Sequence, residues 1–144
     1  MNEVDKLSDK REKITQLVDF MKGLPQTECP VIHRFAPNCY IREIKMWKDT
    51  YVVGKIHATK HFNTLLKGDV TVITSEGMER RVAGDTFVSE AGVQKIVYMH
   101  EDCIWQTIHV TNKTDLAEIE KEIIVESYDQ LEVDGLLDQA RLLA

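Results

Sequence analysis

The chain lacks long apolar runs, paired cysteines and any excess of positive charge. No stretch approaches the roughly 20 consecutive apolar residues that cross a bilayer, so no membrane span is expected. The opening residues, Met1 to Lys6, are charged and carry no apolar leader segment, so no secretory signal is expected. Cys29, Cys39 and Cys103 form no Cys-x-x-Cys pair and leave an odd count. The expectation is a reduced, cytoplasmic protein without a disulfide framework. Positive charge is not concentrated either: residues 28–112 hold ten basic and ten acidic side chains, whereas residues 113–144 hold three against nine. The net charge of −6 therefore sits in the C-terminal segment. A near-neutral middle offers no basic face for a nucleic-acid polymer, although it leaves room for a locally cationic pocket.

The 144 residues suit one domain with a real core. Residues 5–22 are expected to be helical, with Asp9 and Glu12 as a capping-box start and Ile14, Leu17, Val18 and Met21 at helical spacing. Gly23 and Pro25 then stop the helix. From Cys29 to Thr111 the texture is that of short strands, expected at 39–47, 50–57, 61–66, 69–75, 79–82, 86–89, 94–99 and 104–111. Lys67-Gly68-Asp69 and Ser75-Glu76-Gly77 are the clearest turns. Close spacing of seven or eight strands indicates a sandwich or barrel. Thr114 and Asp115 open a second helix with Leu116, Ile119 and Ile123 on one face, and Leu131 to Leu143 offers a third. The chain divides into an N-terminal helix and linker at 1–27, a β unit at 28–112 and a helical tail at 113–144. The leucine-bearing tail either clasps a partner subunit or folds back on its own β unit.

Two segments carry the chemistry. The first, Gly54 to Gly68, contains His57 and His61 four residues apart; the second, Gly84 to Lys95, contains Gly92 and ends on Lys95. Together they resemble the two sequence motifs of the cupins. That resemblance implies a mainly β, single-domain jelly-roll β-barrel, here with N-terminal and C-terminal helices, whose interior holds a metal or a small ligand. In the cupin pattern four inward side chains, three histidines and a carboxylate, hold one divalent metal. With Gly68 aligned to the closing glycine, His61 stands at the carboxylate position, His57 at the second histidine and Lys55 at the first. Lys95 stands where the second motif has its histidine. The runs Cys29 to Pro37, Tyr40 to Glu43 and His100 to Thr111 resemble, more narrowly, small cupin-like proteins carried by tailed phages and prophages. That likeness covers about residues 24–126 and implies origin and fold more than activity.

Three chemistries remain open. His57 and His61 could bind a divalent transition metal, with His33, His100, His109 or Glu43 as a third ligand. A nearby lysine opposes this, because its ammonium repels a divalent cation. Alternatively Lys55, Lys95, His57 and His61 converge on one cationic cavity that takes a phosphate- or carboxylate-bearing molecule. Asn63 and Thr107 would then read its neutral part, and Tyr98, Trp105 and Phe35 would stack on a base or ring, with His33 near the mouth. The same cavity could cleave a phosphodiester, with His57 and His61 as acid and base and Lys95 stabilising developing charge.

The expected function is recognition of a small anion, plausibly a nucleotide-derived host metabolite or immune signal, by sequestration or cleavage in the host cytoplasm. The alternatives are a metal-dependent isomerase or dioxygenase, and a structural virion component. A homodimer or larger homo-oligomer is expected, with no membrane and no nucleic-acid polymer as partner.

Overall fold

Strands of period-two burial and one hairpin glycine set the architecture. A computed structural model describes residues 3–125, with side chains over 9–124. Among these residues helix α1 (Glu3–Lys22) is followed by β1 (Val31–Ala36), β2 (Cys39–Met46), β3 (Tyr51–Val53), β4 (Ile56–His57), β5 (His61–Lys67), β6 (Asp69–Thr74), β7 (Gly77–Val82), β8 (Thr86–Ser89), β9 (Ile96–Met99) and β10 (Cys103–His109). Helix α2 (Leu116–Ile123) and β11 (Ile124–Val125) complete them. The expected tail helix at 131–143 lies outside the described residues.

The strands form a five-stranded sheet ordered β1-β2-β10-β5-β8, a four-stranded sheet ordered β3-β9-β6-β7, and a small β11-β4 ladder. Every pairing is antiparallel. Met46, Leu65, Cys103 and Trp105 from the first sheet pack against Val70, Val72, Val97 and Met99 from the second. Burying each of Leu65, Val70 and Met99 completely contributes about 1.5–3 kcal/mol. Among the described residues no ladder joins the two large sheets edge to edge, so the jelly roll is a sandwich rather than a continuously hydrogen-bonded barrel.

Alternation aims side chains into this sandwich. Along β10, Cys103, Trp105, Thr107 and His109 are buried, while the residues between them are partly exposed on the other face. Register then builds rows across the inner face. Phe35, Tyr40 and His109 form one row, and His33, Arg42, Thr107, Asn63 and Phe87 form the next. Gly68, at φ +106°, makes the β5–β6 turn against β10. A Cβ there would lie 2.3 Å from Cys103 Sγ and 2.8 Å from the Asp102 carbonyl oxygen.

Three sequence expectations need correction. Helix α1 begins at Glu3, so Asp9 and Glu12 lie within it and do not cap it. Residues 31–36, expected as a loop around His33, form a strand because they pair residue for residue with β2. The segment 50–57 is two strands, broken at Gly54, whose N–H donates to the Lys95 carbonyl at 2.8 Å. Helix α1 covers the four-stranded sheet: Ile14 and Val18 pack on Ile96. At the other end Asp115 caps α2, its carboxylate accepting from the Ala117 N–H at 2.9 Å. Ile119 and Ile123 of α2 pack on Tyr40. No helix among the described residues is long and apolar enough to cross a membrane.

Candidate functional site

Three imidazoles meet inside the sandwich, each from a different strand. His57 ends β4, His61 begins β5 and His109 ends β10. Their ring centroids lie 4.3 Å apart for His57–His61, 4.7 Å for His61–His109 and 5.2 Å for His57–His109. His61 and His109 are buried and His57 is partly so. The short link from β4 to β5 brings the first two together, and β10 pairing with β5 supplies the third. Lys95 joins them because its loop is bonded to the β3–β4 segment twice: Gly54 N–H to the Lys95 carbonyl, and Gly92 N–H to the His57 carbonyl, both at 2.8 Å.

Three ring nitrogens, His57 Nδ1, His61 Nε2 and His109 Nδ1, are buried and have no hydrogen-bond partner. The other nitrogen of His61, Nδ1, lies 3.1 Å from the Thr59 carbonyl oxygen. A carbonyl only accepts, so Nδ1 carries the proton and Nε2 of the neutral ring presents a lone pair.

Two cations act on the cluster. Burial holds the His57 imidazole down at about 2, helped by His61, Lys95, His109 and Arg42. Burial and then Lys95 hold His61 at about 4, against the pull of the Thr59 carbonyl. Burial, His61, Lys95 and Arg42 hold His109 at about 3. At neutral pH all three rings are therefore uncharged, and the positive charge is on Lys95 and Arg42. Burial also lowers Lys95, to about 8. Among the described residues neither Lys95 nor Arg42 makes a hydrogen bond or ion pair. Arg42 lines a cavity of about 1180 Å³ with Met21, Gln26, Cys29, Ile56 and Gln94. Lys95 lines a second, of about 210 Å³, with Phe87, Ser89, Glu90 and Val93.

No protein-family model matches the chain, and no curated protein matches it in sequence. Solved structures do match. The salicylate 1,2-dioxygenase of Pseudaminobacter salicylatoxidans aligns at 14% identity and a TM-score of 0.55, covering 76% of this chain and 34% of that one. The EutQ protein of Clostridium difficile aligns at 12% identity and a TM-score of 0.51, covering 61% and 66%. A cupin-2 domain containing protein from Shewanella frigidimarina aligns at 17% identity and a TM-score of 0.47, covering 66% and 92%. This is the cupin fold. At such identities the shared feature is the fold alone, and this chain spans about a third of the dioxygenase.

Placed on that fold, the four cupin motif positions do not all share one space. His57, His61 and Lys95 do. Lys55 does not: it is exposed, and its Nζ pairs with Glu120 of α2 at 3.0 Å. Its strand neighbour Ile56 takes the inward direction, as alternation requires. His109 joins the histidines instead.

A cupin implies a metal, and the residues here do not fit one. Among the described residues no group of three or more His, Cys, Asp or Glu side chains is arranged to hold a metal ion. Glu43, considered as a ligand, turns to the outer face, where it accepts from Arg34 and Gln106, both at 2.8 Å. Lys95 puts an ammonium beside the imidazoles, which opposes a divalent cation.

The remaining expected ligand contacts are placed elsewhere. Asn63 is fully engaged on the inner face: its amide donates to Ser89 Oγ at 2.7 Å, and its carbonyl accepts from Trp105 Nε1 at 3.1 Å. Trp105 is core, with Phe87 against it edge-on at 5.2 Å. Tyr98 lies on the four-stranded sheet, donating to Asp49 at 3.0 Å and tilted against Tyr51. His33 is exposed, and its Nδ1 lies 2.7 Å from the hydroxyl of Tyr40. Thr107 is buried between Arg42 and Asn63 in its row. Sequence reasoning passed over Arg42 altogether. The alternation of β2, with Tyr40, Arg42, Ile44 and Met46 in phase, is the signal that would have found it.

Proposed function

We propose that this cupin-fold protein binds a small carboxylate- or phosphate-bearing molecule between Arg42, Lys95 and the three histidines. The observation that carries the reading is a pair of partly buried cations, without counter-ions, around three uncharged imidazoles whose buried nitrogens lack partners. Buried polar groups are normally paired, and leaving them open costs about 1–3 kcal/mol each. An anion supplies acceptors to Arg42, to Lys95 and to whichever of the His57 and His109 Nδ1 atoms carry protons. Such charge-assisted bonds are about twice as strong as neutral ones. A scaffold role gives no reason for this arrangement.

The nucleotide-sized ligand loses its stacking surfaces, because Trp105 is core and Tyr98 faces away from the histidines. We therefore favour a small acid or phosphate over a molecule with a base. The host-metabolite or immune-signal setting rests on the phage-type sequence motifs alone, and the solved structures described above come from bacteria. Calorimetric titration with simple carboxylates and phosphates tests the proposal. Binding tighter than about 100 μM, near −5.5 kcal/mol, that is lost in Arg42→Gln supports it. Stoichiometric Zn, Fe, Ni or Mn in the purified protein, lost in His109→Ala, would replace it with the metal-enzyme reading.

A further inference from the structure

Lys95 is more than a counter-ion in this arrangement. Its side chain is withdrawn from solvent, makes no hydrogen bond or ion pair among the described residues, and acts on all three imidazoles of the cluster. It also lines the 210 Å³ cavity. The acid that shares that cavity wall, Glu90, is engaged by Lys60 at 3.3 Å. A lysine kept apart from carboxylates, next to a second cation and to neutral bases, has the surroundings that turn an ammonium into an amine nucleophile. Consistent with this, its lowered proton affinity leaves about a tenth of it as free amine at pH 7.

We infer that Lys95 forms an imine with the carbonyl carbon of a 2-oxo acid whose carboxylate is held by Arg42. The inference rests on the anion-binding reading and narrows its ligand to one carrying a carbonyl beside the acid. Two features select that class: the second cation, which takes the carboxylate, and bases within the same cluster, which move protons. In the step, the lone pair of Lys95 Nζ attacks the carbonyl carbon, forming a C–N bond, and the C=O π pair moves to oxygen. The two protons of the amine pass through the imidazoles to that oxygen. His61 Nε2, with its lone pair turned inward, is the first acceptor. The C–O bond breaks and water leaves, giving the neutral imine; one further proton from solvent makes it the iminium. No oxidant or reductant is consumed.

The test uses the full chain, with pyruvate as the probe and lactate, its 2-hydroxy counterpart, as the control. Borohydride added in the presence of pyruvate reduces an imine to a stable secondary amine. The expected result is one pyruvate-derived adduct, mapped by peptide mass spectrometry to Lys95. No adduct is expected with lactate, and competition by lactate should suppress the pyruvate adduct. Lys95→Arg, which keeps the charge, should still bind lactate within about threefold while forming no adduct. Because the mapping is done on the unsubstituted protein, the outcome does not depend on that variant folding. Pyruvate and lactate both binding, with no adduct on Lys95, overturns the imine and leaves the anion reading standing. Labelling spread over exposed lysines such as Lys45 and Lys67 overturns it equally. Failure of both acids to bind overturns this inference for 2-oxo acids, while phosphate binding lost in Arg42→Gln would preserve the broader reading.

Discussion

His61 Nδ1 and the Thr59 carbonyl oxygen are 3.1 Å apart, and this contact fixes which nitrogen of a buried imidazole is protonated. The Nδ1–H tautomer should persist from pH 8 down to about 5, since burial and Lys95 hold the ring at about 4. Nitrogen-15 spectra of histidine-labelled protein check this: one ring should show protonated Nδ1 and bare Nε2. An Nε2–H tautomer at that ring would contradict the assignment.

Folding stability should fall in acid because of the same three rings. Each has a lower proton affinity folded than unfolded, where an imidazole titrates near 6.5. The unfolded chain thus takes up protons first as the pH falls below about 6.5. Stability present above that pH is then lost, by up to about 1.4 kcal/mol per pH unit for each ring, until the folded rings titrate at about 4 and below. Melting temperature should drop between pH 7.5 and 5, and drop less in His109→Gln. A bound anion should lessen the loss by favouring the charged rings.

Arg42 and Lys55 both line the larger cavity, yet only Arg42 acts on the histidines. Arg42→Gln should weaken anion binding tenfold or more, about 1.4 kcal/mol, and Lys55→Gln should leave it unchanged. Affinity should also decline as the pH rises through 8, where Lys95 loses its charge. Titration at pH 7 and at pH 9 measures both effects.

Asn63 holds Ser89 and Trp105 together below the histidines. Asn63→Ala strands the Trp105 N–H and the Ser89 hydroxyl in a buried site, at a cost of about 2–4 kcal/mol. Urea unfolding of the variant checks it. Binding measured well below its melting temperature should stay within a few-fold, because Asn63 has no donor left for a ligand.

The strands and their turns were legible because period-two alternation and turn glycines are local signals. The residues of β5, β6, β8 and β10 fall within a position or two of where the sequence puts them. His57, His61 and Lys95 come together through motif spacing alone. Arg42 and His109 were hidden because their placement depends on register: β2 and β10 are about 60 residues apart in sequence, and only their pairing sets Arg42 beside Thr107 and His109 beside Tyr40. Lys55 was misplaced for the opposite reason. Motif alignment put it inside, whereas the break at Gly54 restarts the strand and Glu120, far along the chain, draws it outward. Trp105 shows that an aromatic at an inward strand position is core before it is a binding surface.

The strand bearing His57 is held from the far end of the described chain. Ile124 pairs with His57 itself, and the Ala58 N–H donates to the Ile123 carbonyl at 2.8 Å. Proteolytic trimming before residue 123 would leave both large sheets intact and unlatch one corner of the histidine triangle. Chemistry at the centre of this protein is thereby tied to the integrity of a segment nearly seventy residues downstream.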